Sequence, residues 1–334
     1  MIWDQLRGHQ AQIEMFRRAI SRGRLAHAYL LVGPHGIGKR TFARLLAQCL
    51  FCQQHSEEEL LACGVCSGCK QVQANTHPDL LQVGCPKGKK EIPIEVLVGS
   101  TDRRGREGLC HDLAMRPMSA TRRVAIIDDA ELMNEAGANS LLKTLEEPPR
   151  GSMIFLITPE TEPILPTIRS RCQPVRFSPL AQNDLAELLV QTGLLESGPA
   201  VEEVARLADG SLTTAQELLE PELRTLQDVV QKHLAARDMR PLAAVGDITA
   251  ALDAFGSDSA THRRYASWAI RFCVETLRIS LSTAETPTQS DQLGAMLDRC
   301  VDAEMQLHQS MPVPLCLEGL FDTLARIQRQ SIFV

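Results

Sequence analysis

The sequence predicts an α/β domain, a parallel sheet covered by helices, followed by segments that are helical throughout. Three observations predict it. Short apolar runs of strand length alternate with helical patterns in the first half. A glycine-rich turn joins the first run to an amphipathic helix. After Ser178–Pro179 no strand pattern recurs, and helices are separated by Gly and Pro.

The strands come first. "HAYLLVG" (27–33), "RVAIIDDA" (123–130) and "MIFLITP" (153–159) are nearly continuous in Val, Ile and Leu, as strands covered on both faces are. Between the last two, Ala138, Leu141, Leu142 and Leu145 fall at i, i+3, i+4 and i+7, one apolar helix face that Pro148–Pro149 stops. "VEEVARLADGSLTTAQELLE" (201–220) reads as two helices around a Gly210–Ser211 turn, and longer helical segments follow Pro221. The expected domains are residues 1–177 (α/β), 178–221 (small, helical) and 222–334 (helical).

Composition narrows the function. A chain of 334 residues with net charge −6 lacks the broad basic balance of a dedicated nucleic-acid binder. No apolar run approaches a membrane span, and "MIWDQLRGHQ" lacks the shape of a signal peptide. Eleven cysteines are therefore expected as reduced thiols and a metal site in a cytoplasmic protein.

"GPHGIGKR" supplies G-x-x-x-x-G-K from Gly33 through Gly36 and Gly38 to Lys39. Backbone N–H groups of such a loop wrap phosphates, the following helix adds its dipole, and the Lys reaches the β/γ-phosphates. Arg40 stands where a Ser or Thr hydroxyl normally holds magnesium. Thr41, about 100° further round the helix, is expected to point elsewhere. Asp128 ends an apolar strand and is the candidate acidic partner of the loop; Asp129 follows it. The loop is compatible with ATP or ADP, with turnover left open.

Cys52, Cys63, Cys66 and Cys69 are spaced C-x₁₀-C-x₂-C-x₂-C on Gly-containing turns within a module of about 49–70. Four thiolates without an open position suit structural Zn²⁺. Cys49 continues the stripe of Phe42, Leu45 and Leu46 and is expected as a core thiol, with His55 a weaker rival ligand. The other cysteines are expected in packing roles.

"HAYLLVGPHGIGKRT", the four-Cys insert, "THPDL", "VAIIDDAELMNEAGANSLLKTLEEPP" and "TIRSRCQPVRF" occur in this order. Together they resemble bacterial clamp-loader subunits, AAA+ proteins of the DNA polymerase III holoenzyme, over residues of about 8–220. Within that group the chain resembles the delta-prime type rather than the ATP-hydrolysing gamma/tau type. The resemblance implies an AAA+ domain, a helical lid and a C-terminal collar that joins a hetero-oligomeric ring. It implies gamma/tau and delta subunits as partners, and the sliding clamp and primer–template DNA through the complex. Ser170–Arg171–Cys172 matches the motif whose Arg acts as an arginine finger on a neighbour's ATP. Thr158 matches the sensor 1 position, and Thr213 stands where active members carry the sensor 2 Arg.

Arg40, Asp129 (where active ATPases of this kind commonly carry Glu) and Thr213 are therefore three departures from a hydrolysing site, and a subunit that is no enzyme on its own is expected. Two other readings stand beside it: an active gamma/tau-type ATPase, and a zinc-dependent nucleic-acid-binding protein with a vestigial phosphate loop.

Overall fold

The computed structural model describes residues 2–330 apart from 87, 237, 257 and 310. Met1 and the last four residues of the expected C-terminal domain lie outside the described residues. The chain divides into two compact units, Met1–Ala215 and Gln216–Val334, and the division falls inside the Leu212–Leu218 helix.

The first unit is built on five parallel strands: β1 (Ala28–Val32), β2 (Leu80–Val83), β3 (Arg123–Ile127), β4 (Ser152–Thr158) and β5 (Gln173–Arg176). Their order is β2-β3-β4-β1-β5, all pairs parallel. In register, Leu30 lies opposite Leu156, and Leu156 opposite Ile127. Every residue of β3 and β4 is buried. Alternate side chains feed two cores. Tyr29, Leu31, Val124, Ile126, Phe155 and Ile157 pack with Phe16 and Phe42 of the Gln10–Ser21 and Lys39–Leu50 helices. Leu30, Ala125, Ile127, Ile154 and Leu156 pack with Leu141 and Leu145 of the Glu135–Glu146 helix. This two-sided burial is why those strands read as continuous apolar runs.

β2 and β5 are additions to the three strands that the sequence pattern predicts. Both are edges. β2 fully buries only Leu80 and β5 only Val175, so neither carries a long apolar run. β5 also contains Pro174, which cannot donate to a ladder and is tolerated at an edge.

Asp79, at the foot of β2, is fully buried and accepts hydrogen bonds from the backbone N–H groups of Met118 (2.7 Å), Ser119 (2.8 Å) and Ala120 (2.9 Å). Arg123 faces it at 3.4 Å. Three amides and one buried guanidinium thus fix the approach to β3 around a single carboxylate. His77, two residues earlier, stacks on Phe51 with ring centroids 4.2 Å apart.

The second unit contains the helices Pro221–Ala235, Pro241–Asp253, Ser259–Ser282, Pro287–His308 and Val313–Gln330. Three of them begin with Pro at the first helical position, where a missing N–H costs nothing. Asp258 caps the longest through the amides of Ala260 and Thr261. Trp268, Phe272, Cys273, Cys300, Leu320 and Phe321 are buried in this unit. No helix among the described residues is long and apolar enough to cross a membrane.

Candidate phosphate-loop pocket and cysteine cluster

The loop leaves β1 at Gly33, whose N–H donates to Thr158 O (3.2 Å), so the first strand and the end of β4 hold it from the start. A Cβ at Gly33 would collide with the carbonyl of Phe177. Gly36 has φ 73°, and a Cβ there would meet Ser211 and Thr213. Gly36 O accepts the amide of Leu212 at 3.0 Å, which ties the loop to the turn before the Leu212–Leu218 helix. Gly38 is the N-cap of the Lys39–Leu50 helix.

A cleft of about 290 Å³ opens over this turn. Of the sequence-predicted residues, Gly36, Gly38, Lys39, Asp128 and Thr158 line it, whereas Gly33 does not. Lys39 Nζ donates to Gly33 O and to Pro34 O (2.6 Å). Burial lowers the Lys39 ammonium to about 8, against the pull of Asp128, Glu131 and Asp129. Thr158 Oγ1 donates to Glu160 O at 2.7 Å.

Arg40 Nη1 lies 3.4 Å from Asp128 Oδ2. The residue that replaces the usual hydroxyl thus pairs with the acidic strand end. Burial and the charge of Asp129 raise the Asp128 carboxyl above its ordinary value, and Arg40 partly opposes them. Asp129 adopts φ 54°, and its Oδ2 accepts from the Cys85 amide at 3.4 Å. Thr213 lines the cleft where the resemblance places a cation in active relatives. The expectation for Thr41 is corrected: it lines the cleft as well, because the cleft wraps round the whole first helical turn.

Sequence reasoning missed His35 and Glu131, which also line the cleft, with His35 Nε2 3.9 Å from Glu131 Oε1. Ligand atoms of His35, Asp129 and Glu131 lie within 4.8 Å of one another. Their clue was position: His35 is inside the glycine loop, and Glu131 follows Asp128 by three residues.

Arg171 lies outside this cleft. Its Nη2 bonds Glu146 Oε1 at 2.7 Å, and its Nη1 donates to Thr167 O at 2.9 Å. The Arg171 side chain remains 35 % exposed. The ends of "LLKTLEEPP" and "SRC" therefore meet, a contact that spacing alone did not reveal.

The four cysteines converge. The Sγ atoms of Cys52, Cys63, Cys66 and Cys69 lie within 4.8 Å of one another, with Cys63 and Cys69 at 3.9 Å. Zn–S bonds of about 2.3 Å place tetrahedral sulfurs roughly 3.8 Å apart. Backbone N–H groups of Cys63, Cys66 and Cys69 point at Cys52, Cys63 and Cys66 sulfurs at 3.3–3.4 Å. Such donors favour thiolates, and those of Cys66 and Val65 draw the Cys63 thiol down. Cys49 is buried outside the cluster, and His55 bonds Glu59 instead. Among the remaining cysteines Cys172, Cys273, Cys300 and Cys316 are buried, whereas Cys85 and Cys110 are only partly so.

The five-stranded parallel sheet, the loop between β1 and its helix and the acidic end of β3 define an AAA+-like P-loop protein. The family described as DNA polymerase III, delta subunit, matches residues 8–181, and the chain belongs to that family. It is similar to a DNA polymerase III subunit delta' of Pseudomonas aeruginosa, 36% identical over 221 residues, 65% of this chain and 59% of that one. It is also similar to a DNA polymerase III subunit gamma/tau of Mycobacterium tuberculosis, 30% identical over 249 residues, 72% of this chain and 40% of that one. The chain thus spans about three fifths and two fifths of these relatives. Among solved structures, a DNA polymerase III gamma subunit-related protein of Thermotoga maritima superposes with a TM-score of 0.48 at 16% identity, over 95% of this chain and 99% of that one.

Proposed function

We propose that this chain is a delta-prime-type subunit of a bacterial clamp loader, cytoplasmic and without ATP turnover of its own. In this reading residues 1–177, 178–221 and 222–334 are the AAA+ domain, lid and collar. Its partners are gamma/tau and delta subunits, with the sliding clamp and primer–template DNA engaged through the complex. The observation that carries it is the pairing of Arg40 with Asp128. Both groups that would organise chemistry at the loop are occupied with each other. Asp129 and Thr213 extend the same departure, since neither offers a carboxylate or cation of the usual reach.

Arg171 is the residue the subunit gives to its neighbour. A guanidinium set against a transferring phosphoryl group is worth roughly 10³–10⁵ in rate. Its pairing with Glu146 at a partly exposed position is compatible with that role. Cys52, Cys63, Cys66 and Cys69 would hold a structural Zn²⁺, whose contribution is to order the insert.

ATP turnover by the purified chain, with Lys39→Ala as the contamination control, tests the reading. Absence of turnover is expected. Turnover that Lys39→Ala abolishes would replace this reading with the second one, an active gamma/tau-type ATPase. That second reading is favoured by Thr41, a hydroxyl-bearing residue that lines the cleft.

A further inference from the structure

Phosphate loops hold the magnesium of a bound nucleotide through the hydroxyl that follows the lysine, while the acid of the facing strand organises the same ion. Neither partner is available in this chain. The hydroxyl position is Arg40, and Asp128 lies 3.4 Å from the Arg40 guanidinium. A divalent cation entering there would have to displace a guanidinium from its carboxylate and then sit beside that positive charge. Magnesium demands a near-ideal shell of oxygens. The other acidic group in the cleft, Asp129 with Glu131, offers His35 as its third member, a nitrogen donor that suits magnesium poorly. The residues present do not fit the ion.

They do fit its charge. The Arg40 side chain is 59 % exposed on the first turn of a helix whose N-cap is Gly38, beside Lys39 and Gly36. A guanidinium has five N–H donors in a fixed fork and can serve a carboxylate and a phosphate together. Asp128 engages one nitrogen and leaves donors for a ligand in the cleft. Asp129 directs Oδ2 to the Cys85 amide, so it does not oppose the phosphates with both oxygens.

We infer that this pocket takes a nucleoside diphosphate or triphosphate without a divalent cation, with the Arg40 guanidinium standing in for the metal beside the β-phosphate. Asp128 then positions Arg40 and holds no ion. The inference rests on the reading of Gly33–Lys39 as a phosphate cradle. It changes what that cradle is for: a resident nucleotide fixes the loop, and turnover is excluded because no ion bridges to a leaving group.

Calorimetric titration of the full chain with ADP, in EDTA and again in excess magnesium, tests it. The wild-type chain is expected to bind with affinities that agree within about twofold, far below one tenfold step of about 1.4 kcal/mol. Arg40→Thr restores the hydroxyl and frees Asp128, so its binding should weaken about tenfold or more in EDTA and recover in magnesium. Asp128→Ala should bind ADP equally with and without the ion, because the guanidinium remains, but more weakly than wild type, because Arg40 is no longer positioned. Two results overturn the inference: wild-type binding that needs magnesium, or no ADP binding in either buffer. The second leaves the non-hydrolysing reading intact, since ATP turnover by the purified chain tests that separately. Magnesium-dependent binding together with turnover would remove both.

Discussion

Glu146 Oε1 accepts a hydrogen bond from Arg171 Nη2 at 2.7 Å and so joins the C-terminal end of the Glu135–Glu146 helix to the turn after the Pro166–Arg169 helix. Both side chains remain partly exposed, at 49 % and 35 %. A pair of that kind is worth about 0.2–1 kcal/mol to folding. Its value lies in holding a flexible guanidinium in one place.

Arg171→Ala should therefore leave the chain folded, with a melting temperature close to wild type. In a reconstituted gamma/tau–delta–delta-prime complex it should lower turnover at the site it serves by about 10³-fold or more. Size-exclusion chromatography must show the complex still assembled. Glu146→Gln should leave assembly intact and lower the rate by a smaller factor, because the guanidinium is freed rather than removed. An unchanged complex ATPase in Arg171→Ala would end the arginine-finger assignment.

The pH dependence of stability should carry the signature of Lys39. The buried ammonium, 6 % exposed, is lowered from 10.5 to about 8. Between those two values the unfolded chain holds a proton that the folded chain has given up. Stability attributable to this group therefore rises with pH across that window and is lowest below pH 8. Lys39→Met lacks the titration. The difference in unfolding free energy between wild type and Lys39→Met, followed by urea denaturation from pH 7 to 10, should move in favour of wild type as pH rises. A pH-independent difference would show that the ammonium is solvated.

Asp79 gives the opposite sign. Burial works to raise its carboxyl, but the amides of Met118, Ser119 and Ala120 and the Ser119 hydroxyl overcome this and hold it below its ordinary value. Its stabilisation is present above the unfolded carboxylate pKa and is lost as pH falls through the lowered folded value. Asp79→Ala leaves Arg123 buried without its carboxylate and three amides without an acceptor. The expected loss is about 3–5 kcal/mol in a urea unfolding curve at pH 7. A loss under about 1 kcal/mol, the level of an exposed pair, would show that Arg123 and the loop find other partners.

Elemental analysis should find one zinc per chain, bound by the four clustered thiols. Cys63→Ser should lose the metal. Because such sites contribute about 10–16 kcal/mol of apparent binding energy, chelation should also loosen residues 52–69, read as faster amide exchange there. Full zinc retention in Cys63→Ser would direct attention to another donor set.

The sheet was legible where burial is two-sided. β1, β3 and β4 announce themselves because both faces are covered, whereas β2 and β5 bury one residue each and look like loops. The cysteine cluster and the glycine loop were legible because their residues are neighbours in sequence. Arg40 was recognised as unusual and Asp128 as the acidic partner of the loop, but their pairing depends on how the sheet places two distant segments. Glu146 was hidden for the same reason. Thr41 was misread because a rotation about one helix ignores how far a cleft spreads over it.

The backbone bond from the Leu212 amide to Gly36 O stitches the loop to the turn before the Leu212–Leu218 helix, and no side-chain atom takes part in it. A ligand that shifts the loop would therefore be expected to shift residue 212 through this one hydrogen bond, without a relay through the sheet. Amide exchange at Leu212, measured in the isolated chain with and without ADP, should report such a shift directly.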